Sequence, residues 1–124
     1  MHEMGIALQI IEIAAASIPT GDGPVQVEKV NLKIGKLAAV VPESLRFCFD
    51  IAAKESPLVG AVLHIEEIPI RARCSTCDNE WTIHEPVFQC PRCESGKLDI
   101  ISGRELNIES IEIANEETQQ DVSV

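Results

Sequence analysis

Four cysteines stand in two matched pairs, Cys74 with Cys77 and Cys90 with Cys93, with two residues inside each pair and twelve between the pairs. A two-residue gap lets each pair sit on one tight knuckle and aim two thiolates the same way. Two knuckles brought together make a closed tetrahedral sulfur cage. Soft thiolate donors favour zinc, with iron the main competitor. All four positions would be filled by protein, so the spacing predicts a structural metal site rather than a catalytic one with an open position. A redox Cys-x-x-Cys would need a strand-to-helix junction in a thioredoxin-like unit, and the flanking residues do not provide it. The fifth cysteine, Cys48, stands apart among apolar residues and reads as a buried core thiol.

The other chemistry lies at the start of the chain, in Met1-His2-Glu3. A free α-amine, the His2 backbone nitrogen and the His2 imidazole can close adjacent chelate rings around a metal that favours tetragonal nitrogen donors, nickel(II) or copper(II). Glu3 could ligate the ion or orient the ligands from outside the coordination sphere. If a helix begins here, its first N–H groups have no intrahelical acceptor, so an amide nitrogen can bind metal without breaking the ladder. The positive end of that helix also disfavours an ammonium and helps the amine reach its neutral, ligating form. Ligand type alone does not separate nickel from copper. His64, on an alternating segment, and His84, between the cysteine pairs, read as structural or surface histidines, and Glu66-Glu67 and Glu116-Glu117 as solvated acidic faces.

These groups need elements to hold them. Met4 to about Ser17 is free of proline and apolar around much of the helical wheel, which predicts a helix buried on more than one side. Turn formers follow from Pro19 to Pro24. Val30, Leu32 and Ile34 alternate with Lys29, Asn31 and Lys33, the pattern of a strand with one solvated face, and Gly35 ends it. Pro42 suits the first position of a second helix running to about Glu55, with Leu45, Cys48, Phe49 and Ala52 on one face. Two more strands are predicted, from about Ala61 to Ile68 and from about Glu105 to Ile113, the latter with a phase slip near Glu109 that suggests a bulge. Trp81, Ile83, Val87 and Phe88 supply a small apolar patch beside the cysteines. The polar residues 114–124 read as a disordered acidic tail. Helix, strand, helix, strand, cysteine insert, strand is the order of an α/β (α+β) layer with a metal module grafted onto it.

At 124 residues one modest core with a small satellite is expected, and with aromatics at 3% that core must be aliphatic. A net charge of -10 argues against nucleic-acid binding, which depends on clustered Lys and Arg, and against anionic membrane surfaces. Neither a secretory signal nor an apolar run of membrane-spanning length is found, so a cytoplasmic location is expected. In that reducing compartment paired cysteines mean metal rather than disulfides.

Met1-His2-Glu3-Met4, the two cysteine pairs, Leu32-Lys-Ile-Gly35, Arg46-Phe47 and the run from Ser102 to Ile113 together resemble the HypA/HybF family of hydrogenase-maturation nickel chaperones. The resemblance covers Met1 to about Ile113. It implies a nickel-binding α/β domain, residues 1–70 and 99–113, with two helices on a three-stranded mixed sheet, and an inserted zinc-ribbon-like domain, residues 71–98. It implies that Met1, His2 and Glu3 bind the transported Ni(II), and that Cys74, Cys77, Cys90 and Cys93 hold a structural Zn(II). Its implied partners are a nickel-handling GTPase and the large subunit of [NiFe]-hydrogenase, with urease served in some organisms, and the family is not enzymatic. The alternative reading is a zinc-ribbon protein–protein adaptor without nickel transfer. It explains the cysteines but leaves Met1-His2-Glu3 without a role.

Overall fold

The computed structural model describes residues 2–21, 25–114 and 119–124. Their elements run α1 (Glu3–Ala16), β1 (Gln26–Gly35), a 3-10 turn (Lys36–Ala38), α2 (Pro42–Ala53), β2 (Val62–Ile68), β3 (Ile70–Cys74), β4 (Glu80–Ile83), β5 (Leu98–Ser102), β6 (Leu106–Ala114) and β7 (Gln119–Ser123). The chain divides into two compact units, one of Met1–Lys33, Val40–Glu66 and Asn107–Val124, the other of Ile34–Ala39 and Glu67–Leu106. No helix among the described residues is long and apolar enough to cross a membrane.

The first unit pairs α1 with α2 and carries a four-stranded sheet in the order β2-β1-β6-β7. Its core is aliphatic apart from Phe49. Ala7, Ile10 and Ala14 of α1, Leu45, Phe49 and Ala53 of α2, Val27, Val30 and Leu32 of β1, Leu63 of β2, and Ile111 and Ile113 of β6 are all buried. α1 therefore buries one stripe rather than more than one side, and Met4, Leu8 and Ile13 remain exposed. A helix in a two-layer unit has neighbours on one side only, so apolar residues elsewhere on its wheel stay in water. Ser17 ends α1 by donating its hydroxyl to the Ile13 carbonyl at 2.9 Å and its N–H to Ala14. In α2 the buried stripe is Leu45, Phe49 and Ala53, so Cys48 is turned to the edge and only half-buried, not a core thiol.

Lys29, Asn31 and Lys33 do mark the polar face of β1, but they are partnered there rather than merely solvated. The Asn31 amide donates to Ser110 Oγ at 3.0 Å and Glu112 Oε2 at 3.1 Å, and Lys29 and Lys33 pair with Glu112 and Glu109 at 3.8 and 3.1 Å. Cross-strand polar pairs of this kind tie β1 to β6 over the face opposite the buried one.

The sheet has four strands where three are expected, because residues read as disordered return as β7. That strand lies antiparallel to β6, with Ser110 opposite Ser123 and Ala114 opposite Gln119. Composition pointed to disorder, but Val122 stands opposite the buried Ile111 and the Val124 N–H donates to the Glu109 carbonyl at 3.1 Å. An open β6 edge is a row of unpaired backbone groups, which even a polar strand can satisfy. Residues 115–118 lie outside the described part of the chain.

In the second unit, β4, β3 and β5 form a three-stranded antiparallel sheet, with Ala72 opposite Trp81 on one side and Ile100 on the other. The pairing of β5 with β3 brings residues 99–102 into the same unit as the cysteines, where the expected boundary falls at 98. Ile83 is buried and Trp81 half-buried, while Val87 and Phe88 are exposed.

Candidate metal centre

The four cysteines sit on two turns built alike. At the end of β3, the Cys74 N–H donates to Asn79 O at 2.8 Å and the Asp78 N–H returns to Cys74 O at 2.9 Å. Before β5, the Cys90 N–H donates to Ser95 O at 2.9 Å and the Glu94 N–H returns to Cys90 O at 2.8 Å. The two knuckles are stitched together by the Ser75 N–H to Lys97 O at 3.0 Å and by Thr76 Oγ1 to Ser95 Oγ at 3.0 Å.

The knuckles bring all four sulfurs within 4.8 Å of one another. Cys74 and Cys93 are 3.5 Å apart, Cys77 and Cys90 3.6 Å. Metal–sulfur bonds of about 2.3 Å in a tetrahedron place sulfurs about 3.8 Å apart, so the cage has the size a tetrathiolate ion requires. Cys74 and Cys90 are buried, Cys77 is half-buried and Cys93 is exposed. Among the described residues, this is the one group of three or more His, Cys, Asp or Glu side chains with converging ligand atoms.

Backbone N–H groups are already aimed at the sulfurs. Cys74 Sγ accepts from Thr76 at 3.4 Å, and Cys90 Sγ accepts from Arg92 at 3.4 Å, Cys93 at 3.5 Å and the Asn79 side chain at 3.8 Å. Burial opposes the Cys90 thiolate, but the Cys93 and Arg92 N–H groups outweigh it and bring this thiol down to about 6. Burial is likewise outweighed at Cys74 by the Cys77 and Thr76 N–H groups, which lower it. At Cys93 the Ser95 N–H favours the thiolate, yet the neighbouring sulfurs and burial prevail and push it up to about 12. Asn79 favours the Cys77 thiolate too, but burial and the Cys90 sulfur raise that thiol. Four thiolates this close cannot all ionise without a cation among them. A divalent ion removes that conflict, displacing the remaining thiol protons as it binds.

Asp78 and Glu94 occupy equivalent places, and both are held at positive φ, 63° and 65°. Aspartate tolerates the left-handed region better than glutamate, which lacks the short polar arm that bonds locally. Glu94→Gly is therefore expected to raise the stability of this unit by about 1 kcal/mol, with a smaller gain for Asp78→Gly, read from chemical denaturation of the metal-loaded protein. No gain at either position would mean that this backbone is not strained.

The family model for the hydrogenase/urease nickel-incorporation metallochaperone HypA matches residues 1–113, nearly the whole chain. The chain belongs to the HypA family. It is thus a nickel metallochaperone of hydrogenase maturation and not an enzyme. The hydrogenase maturation factor HypA of Desulfatibacillum aliphaticivorans is 59% identical over 117 residues, covering 94% of this chain and 90% of that one. That of Desulfosudis oleivorans is 58% identical over 113 residues, covering 91% and 98%. The solution structure of the Ni metallochaperone HypA from Helicobacter pylori shares the fold, with a TM-score of 0.61 at 21% identity over 90% of this chain and 96% of that one.

Around this cage, cysteine spacing marks the four ligands but not the groups that set their charge. Asn79 is the clearest example. Its backbone N–H favours the Cys77 thiolate, and its side chain reaches across to Cys90 Sγ at 3.8 Å. His64 and His84 are exposed and join no cluster with the cysteines.

At the N-terminus, Met1 lies outside the described residues. His2 is exposed, extended at φ -88° and ψ 93°, and occupies the N-cap position of α1 without a side-chain cap bond. Glu3 is the first helical residue and half-buried. Its carboxyl group is raised by burial, but hydrogen bonds from the Val41 backbone and from its own, with others, outweigh this and hold it below the usual range.

Proposed function

We propose that this chain binds one nickel(II) at its N-terminal Met1-His2-Glu3 segment, with Glu3 either ligating the ion or orienting the site, holds a structural zinc on Cys74, Cys77, Cys90 and Cys93, and passes the nickel on. The recipient is the large subunit of [NiFe]-hydrogenase, with urease a second recipient, and the transfer runs with a nickel-handling GTPase in the cytoplasm. No nucleic acid or membrane takes part. The first unit is the nickel part and the second the zinc part.

The observation that carries the nickel site is the setting of His2. Its carbonyl accepts the first helical bond, from the Ile6 N–H at 3.3 Å, while its imidazole is exposed and makes no cap bond. The N–H groups at a helix start have no intrahelical acceptor, so deprotonating one to bind metal costs the helix no hydrogen bond. For the cage, thiolate softness and four-fold closure favour zinc over iron, and leave the site structural.

The test is calorimetric nickel titration of zinc-loaded protein with its native N-terminus, beside a form with a short extension before Met1 and beside His2→Ala. The native form is expected to bind about one nickel, and both variants to lose affinity by on the order of 100-fold with zinc content unchanged. Equal nickel binding by all three would place the ion elsewhere and leave the zinc-ribbon adaptor as the better reading.

A further inference from the structure

Helix α2 starts without a cap of its own. Its N-cap residue is Val41, whose side chain has no hydrogen-bonding atom, and Pro42 follows at the first helical position. Helix starts leave backbone donors without partners, and a Ser, Thr, Asp or Asn oxygen normally answers one of them. Here the oxygens come from the other helix. Glu3 Oε2 accepts the Val41 N–H at 3.4 Å, and Glu3 Oε1 accepts the Ser44 hydroxyl at 3.4 Å. The carboxylate sits where the dipole of α2 favours negative charge, and it joins the first residue of α1 to the first turn of α2.

We propose that the Glu3 carboxylate is a latch on α2 and not itself a nickel ligand, and that Ser44 and the Val41 N–H are the positioning groups that hold the metal-binding N-terminus in place. This rests on the N-terminal nickel reading above.

The geometry separates the two jobs along three residues. Both carboxylate oxygens of Glu3 face α2, whereas the His2 side chain beside it faces water. A carboxylate drawn to the ion would give up both contacts and leave the Val41 N–H and the Ser44 hydroxyl to water. One that stays on α2 keeps the first turn of α1 fixed, so the amine and the imidazole need not be ordered when nickel arrives, which is how preorganised ligands gain affinity. Ser44 lies 41 residues from Glu3 and carries no metal-binding signature. Its role depends entirely on this contact.

The experiment uses full-length, zinc-loaded protein with the native N-terminus, as wild type, Ser44→Ala, Glu3→Gln, Glu3→Ala and the Glu3→Ala/Ser44→Ala pair. Nickel affinity is measured by calorimetry and nickel coordination by X-ray absorption. A latch predicts that Ser44→Ala and Glu3→Ala each weaken nickel binding by about three- to ten-fold, that the pair is no worse than Glu3→Ala alone, and that the nickel spectrum is the same in every variant. Glu3→Gln keeps one oxygen acceptor and should fall between wild type and Glu3→Ala. A changed nickel spectrum in Glu3→Gln with Ser44→Ala binding normally would make the carboxylate a ligand and overturn the latch.

Thermal melting without nickel keeps the two readings apart. If the extended N-terminus binds nickel like the native one, the nickel site fails. The latch itself then stands on non-additive destabilisation by Glu3→Ala and Ser44→Ala, and falls if their effects simply add.

Discussion

Cys90→Ala is expected to empty the cage and unfold the second unit, while the first unit keeps its helical circular dichroism. The reason is how little else holds that unit. Its strands are four or five residues long, and its buried apolar residues among those described are Ile34, Ala72 and Ile83 with Cys74 and Cys90 themselves. So small a core does not hold a fold by hydrophobic burial alone, and a structural metal supplies what is missing. Cys90 is the most deeply committed ligand. It is fully buried, and its sulfur accepts from Arg92, Cys93 and Asn79, three donors that alanine would leave without an acceptor. The expected loss is at least about 4 kcal/mol, roughly a thousandfold in metal retention against a chelator. Cys93→Ala should cost less, since Cys93 is exposed and water can reach the vacated position. Metal release by mass spectrometry against chelator concentration gives the order. Equal retention in both variants would show that burial of the ligand does not set its weight.

Gly35→Ala is expected to be the most damaging change away from the metal, because at Gly35 two stretches of backbone touch. The Gly35 N–H donates to Glu105 O at 2.7 Å, and the Leu37 N–H donates to Gly103 O at 2.8 Å. A methyl group on Gly35 would overlap the Gly103 carbonyl and come within 2.6 Å of Arg104 N. Neither neighbour is a side chain that can swing aside. Gly103 cannot yield either, since it is held at φ +118° with Ile70 Cα 3.0 Å from where its own Cβ would stand. Relief requires breaking the paired hydrogen bonds, for a loss of about 3 kcal/mol or more in denaturant unfolding. Gly96→Ala is the control in the same unit. Nothing lies within 4 Å of a Cβ there and φ is not positive, so it should be neutral or mildly stabilising. Similar losses at both positions would show that glycine flexibility, not close approach, governs the unit.

What could be read without coordinates was what depends on near neighbours in the chain. Cys-x-x-Cys spacing implies a knuckle because two residues fix the turn, and the period of Val30, Leu32 and Ile34 implies one buried face because a strand alternates. Pro42 marked the start of α2, and it stands at the first position of that helix. The N-terminal tripeptide was legible as chemistry for the same reason, since adjacent chelate rings form within two residues.

What stayed hidden depends on pairs distant in sequence. Gly35 could be seen to end a strand, but that it does so against Gly103 required both strand ends in place. Composition placed residues 119–123 in a disordered tail, and only the open edge of β6 makes them a strand. The apolar wheel of α1 could not say which stripe is covered, because that depends on where α2 lies. Spacing likewise made Cys74, Cys77, Cys90 and Cys93 ligands, while their division into two low and two high thiols follows from the balance, at each sulfur, of aimed N–H groups against burial and the neighbouring sulfurs. The sequence by itself determined which groups could bind metal, because ligand identity and turn spacing are local. The tertiary structure alone decided how those groups are charged, latched and crowded, because hydrogen bonds and steric contacts act between atoms that only folding brings together.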